Sequence, residues 1–246
     1  MFSVNVIEDL MKNLSVLRKE LGKTYEKLPT TRCKRKTECC LLMPEMTLLE
    51  ALDAIQNVIS MPKDIRLSMY KKIVRYFMTN PVTIIRCPFL DEEECLIYSN
   101  RFFGCRAYGL WSKEYYEKLS EQSRHIKRHI RKAWEEMNIY LPKAIIEFQV
   151  PYCTDIVSVD KRAVNDDILL GIAETVEKLS QQYARWHYLF RDNYFSDLSF
   201  LLASLIFGVN DAISLKFNVV NDILRGDKWD LLDNLIKKIP DIFQGR

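Results

Sequence analysis

The chain has 246 residues, 48% of them apolar, and its 36 Lys and Arg against 33 Asp and Glu leave a net charge of +3. With only 7 Gly and 8 Pro, this composition suits a packed globule and excludes a disordered or collagen-like chain. The charge is too small to imply a polyanion, and the longest apolar run, Leu198 to Val209, is too short to span a bilayer and carries Ser199 and Ser204.

Helical periodicity dominates the chain. Val6, Leu10, Leu14 and Leu17 recur at helical intervals and predict a first helix over 4–27, ended by Pro29. Glu8 and Asp9 interrupt its apolar residues, so no signal peptide is expected and a cytoplasmic location is. Thr47 and Glu50 form a T-x-x-E capping box ahead of Leu48, Leu52, Ile55 and Ile59. Pro62 opens a further helix carrying Ile65, Met69, Ile73 and Phe77, and Asn80-Pro81 stops it. Residues 82–110 lose this period: Val82 to Ile85 reads as a short strand and the acidic run Asp91 to Glu94 as a turn. Helices resume over 112–138, 163–190, 196–207, 210–225 and 229–238, with Gly208 and Gly226 as C-terminal stops. The expected fold is mainly α, with an irregular cysteine-rich metal-binding core that has short strands or none and is surrounded by helices. A cysteine-cluster region over 1–110 is followed by a helical region over 111–246, which is able to pack with it as one domain.

Six of the seven cysteines fall in that first region: Cys33, Cys39, Cys40, Cys87, Cys95 and Cys105. In a reducing compartment such a cluster reads as metal ligands or redox groups before disulfides, and thiolates select zinc, copper(I) or iron–sulfur clusters. Adjacent Cys39 and Cys40 reach one site on a tight turn, and Pro88 stiffens the backbone after Cys87. Lys34, Arg35, Lys36, Arg101 and Arg106 offset the charge of several thiolates. The rival reading, six scattered core thiols, fits poorly with neighbours that are turn residues and charges. Cys153, after Pro151 and Tyr152, reads as a packing thiol.

The run C-C-L-L-M-P-E-M-T-L-L-E, then C-P-F-L, C-L-I-Y and R-F-F-G-C-R-A-Y, resembles the YkgJ-like cysteine-cluster family over residues 33–109. That family is described as zinc- or iron-chelating. The resemblance implies metal ligation by Cys33, Cys39, Cys40, Cys87, Cys95 and Cys105, with Arg101, Arg106 and Tyr108 orienting the ligand loop or tuning the metal. No cysteine lies between Cys33 and Cys39, and Phe102 and Gly109 replace the family's usual prolines. A reduced ligand set and a single metal are therefore implied. Relatives include the flagellin lysine methylase, which is associated with an iron–sulfur cluster. An iron–sulfur cluster, [4Fe–4S] in preference, is the expected cofactor, with zinc as the alternative. Six thiols exceed the four that either needs, and sequence order does not choose among them.

Three functional classes follow: a structural or metal-handling protein, a methyltransferase-like enzyme, and an electron-transfer or redox-sensing module. Nucleotide-binding fingerprints, the GxSxG elbow and the cysteine triplet of radical S-adenosylmethionine enzymes are all lacking in the sequence. His125 and His129 share a helix face but flank Ile-Lys-Arg, not the zincin pattern. Their helix carries a basic stretch over 122–132 with an apolar stripe of Ile126, Ile130 and Trp134. Together with the aromatic segment 183–195, which reads first as core packing, it is the surface expected for a protein partner. No membrane or nucleic-acid partner is expected.

Overall fold

The first predicted helix breaks in two. In the computed structural model, which describes residues 1–34, 36–160, 162–226 and 228–243, α1 (Val4–Met11) and α2 (Leu14–Tyr25) meet at Lys12 and Asn13. Asn13 makes no capping bond; a short amide that competes for backbone partners weakens a helix there. Leu14, Leu17 and Leu21 still line one buried face of α2. Then β1 (Thr31–Arg32) leads to a single 3-10 turn over Glu38–Cys40.

The predicted capping box is present at the start of α3 (Leu48–Ile59). Every residue from Leu48 to Ile55 is buried, so α3 is enclosed on all sides and serves as the central helix. Pro62 caps α4 (Lys63–Thr79). Val82 to Ile85 is not a strand, because the amides of Val82 and Thr83 turn back to the Thr79 carbonyl, both at 3.0 Å. The acidic run does turn the chain: β2 (Leu90–Asp91) pairs antiparallel with β3 (Glu94–Cys95), and Glu92 takes φ 51° between them.

Next come α5 (Phe103–Ala107), α6 (Lys113–Glu135), α7 (Lys143–Ile146) and β4 (Val157–Ser158). Although more than a hundred residues apart in sequence, β1 and β4 pair antiparallel, Thr31 with Ser158 and Arg32 with Val157. The predicted helix over 163–190 is interrupted: α8 (Asp166–Ser180) passes through a 3-10 turn to Ala184 at φ 48°, where α9 (Arg185–Asn193) begins. α10 (Leu198–Phe207), α11 (Val209–Gly226) and α12 (Asp230–Lys237) complete the chain. Gly208 ends α10 as expected, and at φ 87° it turns the chain by 107° into α11. Among the described residues no single helix is long and apolar enough to cross a membrane.

Helix makes up 62% of the chain and strand 3%, so the protein is mainly α. One apolar cluster runs from Phe2 to Phe243 and draws on both halves of the sequence. α10 lies against α4, where Phe77 stacks on Phe200 with centroids 5.2 Å apart. The buried Arg66 guanidinium on α4 grips Asp241 with two bonds and donates to the Ile59 carbonyl at 3.0 Å, fastening the C-terminal segment. A smaller cluster of Trp134, Leu141, Ile146 and Val220 seats the end of α6.

Candidate functional site

Two buried carboxylates of α3 anchor the loop that carries Cys95 and Cys105. Glu50 accepts from Thr47 N at 2.9 Å, from Tyr25 Oη at 2.6 Å and from Phe103 N at 2.6 Å. One turn on, Asp53 stands 2.7 Å from Arg18 Nε and accepts from Asn100 Nδ2 at 3.1 Å. A carboxylate inside an apolar helix core is costly unless partnered, and two of the partners here, Phe103 and Asn100, belong to the loop that carries Cys95 and Cys105. Arg106 completes the clamp, donating from Nε to the Arg101 carbonyl at 2.8 Å and from Nη2 to the Ser99 carbonyl. Its guanidinium also lies 4.4 Å from the Tyr25 ring centroid.

The cysteines approach from separate segments. The Cys39 and Cys40 sulfurs lie 3.8 Å apart at the end of the 3-10 turn, and the Cys87 amide donates to the Cys40 carbonyl at 2.7 Å. Cys95 ends the β2–β3 hairpin, and Cys105 sits in α5. Cys40 and Cys87 are buried, Cys39, Cys95 and Cys105 partly so, and Cys33 is exposed. Burial pushes the Cys87 thiol up to about 12 and raises Cys95 and Cys105 as well. In the Cys39–Cys40 pair, the shared hydrogen bond lowers Cys39 to about 7 and raises Cys40.

Arg101, Arg106 and Tyr108 surround these thiols in different ways. Arg101 lies 4.2 Å over the Tyr98 ring, faces Cys39, Cys95 and Cys105 electrostatically, and leaves its buried Nε without an acceptor. Arg106 positions the loop, as described. Tyr108 donates to the Pro151 carbonyl at 2.7 Å and lies 3.4 Å from the Glu38 carboxylate. Lys34 and Lys36 both pair with Asp155, and Arg35 lies outside the described residues. A small cleft opens where Cys33, Cys39, Cys105 and Cys153 meet Arg101 and Tyr108. Among the described residues, no group of three or more His, Cys, Asp or Glu side chains is drawn together closely enough to hold a metal ion directly.

Phe102 and Gly109 are each fixed by local packing. Phe102 is buried edge-on against Phe89, at 5.9 Å between centroids. Gly109 has φ +80°, which proline cannot adopt, and an added Cβ would lie 2.7 Å from Ile156 Cδ1. Sequence reasoning missed two contributors, Glu50 beyond its cap role and Asp53, and read as a packing thiol Cys153, which lines the cleft. A cysteine in a second aperiodic stretch, behind Pro151 and Tyr152, was the available signal for the last.

Elsewhere the features flagged in sequence stay apart from the cleft. His125 and His129 pack ring to ring at 4.5 Å on α6. The expected apolar stripe there is incomplete, since Ile126 and Ile130 are about half exposed and only Trp134 is buried. In the aromatic segment, Tyr183, His187, Phe190 and Tyr194 are core, whereas Tyr188 and Phe195 are exposed. His187 bridges Ser180 Oγ and Glu177 Oε1, each at 2.9 Å, in an outline like a hydrolase triad. Ser180 is fully buried and its hydroxyl already accepts from Leu49 N, so this trio joins α8 and α9 to α3. No protein-family model, curated protein or solved structure matches the chain.

Proposed function

We propose that the chain holds an iron–sulfur cluster, [4Fe–4S] in preference, on thiolates drawn from Cys33, Cys39, Cys40, Cys87, Cys95 and Cys105. The observation that carries this reading is a cleft to which three of these thiols, Cys33, Cys39 and Cys105, come from three separate segments. Four thiolates on one ion crowd together, whereas in a cubane each binds its own iron at a corner of a bulky core. The surroundings fit such an anionic centre. Burial raises the Cys87 and Cys105 thiols, and a metal that binds a thiol displaces its proton. The orphaned Arg101 Nε is a donor in search of an anionic acceptor, which thiolate or sulfide supplies.

Zinc is favoured by one specific distance. At a Zn–S length of about 2.3 Å, two sulfurs of a tetrahedral site stand about 3.8 Å apart, and Cys39 and Cys40 are 3.8 Å apart. Anaerobic purification separates the two readings: about four iron and four sulfide per chain are expected. Colourless protein with stoichiometric zinc would establish the alternative, and no metal of either kind would overturn the centre. Cys39→Ser is expected to abolish retention, and unchanged metal content in that variant would remove Cys39 from the ligand set.

A further inference from the structure

Cys153 is buried, yet it belongs to neither apolar cluster of the protein. Its neighbours are Cys33, Glu38 and Asp155, and it lines the cleft opposite Cys39 and Cys105. Cys40 and Cys87 are part of the main apolar cluster, whereas Cys153 lies outside it beside charged groups and another thiol.

Its position is also heavily constrained for a residue on irregular chain. Tyr116 donates to the Val150 carbonyl at 2.8 Å, Tyr108 to the Pro151 carbonyl at 2.7 Å, and Tyr152 to the Trp111 carbonyl at 3.1 Å. Beyond Cys153, Asp155 is fixed by Lys34 and Lys36. The Cys153 Cβ rests against Gly109, where an added Cβ would approach to 3.1 Å.

We propose that Cys153 is a ligand of the thiolate centre, closing a ring with Cys33, Cys39 and Cys105 around the cleft. This rests on the metal-centre reading. In that arrangement Cys40, Cys87 and Cys95 lie behind the ring, and the segment 150–156 is a wall of the site. Tyr108 then acts as a positioning residue, tying the Cys153 segment to the Glu38–Cys40 turn.

The test compares anaerobically loaded full-length wild type with C153S and C153A, reading iron and sulfide per chain, visible absorption and electron paramagnetic resonance of the reduced form. With helical circular dichroism retained, iron is expected to fall from about four per chain toward zero, or to remain with an altered resonance. Wild-type iron and an unchanged resonance in folded C153A overturn the proposal. If wild type itself takes up no metal, the failure lies with the centre and not with this ligand alone. Should both variants fail to fold, native wild type decides, by mass-spectrometric mapping of iodoacetamide uptake before and after chelator treatment. Cys153 alkylated only after stripping supports ligation, and equal labelling in both states overturns it.

Discussion

The helical core and the cysteine loops are held by different forces. α3, α4 and α10 meet through side chains such as Leu52, Phe77 and Leu201 that are almost wholly out of water, and no single contact decides their arrangement. The loops over 30–40, 86–110 and 150–156 have little apolar periodicity. Named polar bonds fix them instead: Glu50 to Phe103, Asp53 to Asn100, Arg106 to two carbonyls, Tyr108 to Pro151. Apolar burial is distributed and tolerant, whereas a polar bond is directional and its loss leaves a buried partner unsatisfied. A region with no fold-making pattern of its own can thus borrow rigidity from a few charges buried in its neighbour.

Four substitutions probe this division. Leu52→Ala in α3 is expected to cost about 3 kcal/mol, read from denaturant unfolding of stripped protein, with metal per folded chain unchanged. Glu50→Gln is expected to cost about 2 kcal/mol, since Tyr25, Phe103 and Thr47 lose a shared anionic acceptor; metal retention should drop with it. If instead Glu50→Gln left metal content intact, the loops would not depend on α3 as described. Gly109→Ala forces a side chain into a left-handed backbone, at about 1–2 kcal/mol, and crowds Cys153. Its effect should show in metal affinity before it shows in melting temperature. Thr47→Ala removes one cap bond, about 1 kcal/mol, and calorimetry should find the smallest shift of the four.

The helices were legible because burial on one face imposes its period on the sequence. The Thr47–Glu50 box and the Asp91–Glu94 turn were legible because their chemistry is local. Breaks at Asn13 and Ala184 were not, since each depends on how the flanking helices pack and no Gly or Pro announces them. The expected strand at Val82 failed for a related reason: β-branched residues favour a strand only where a partner edge exists, and here the amides turn back to Thr79. At the site, spacing singled out six thiols but could not arrange them. Cys153 was set apart from the other six because its nearness to Cys33 depends on the β1–β4 pairing, a contact across most of the chain. Nor could the pattern show that Glu50 and Asp53, placed like ordinary helix charges, point inward.

That pairing of β1 with β4 bears on the order in which the molecule assembles. Only two residue pairs form the ladder, supported by Val159 N to Thr30 O at 2.9 Å. Closing so long a loop carries a large entropic cost for so few bonds, so the strap forms late in folding and opens early in the native state. Its amides should therefore exchange with solvent well before those of α3.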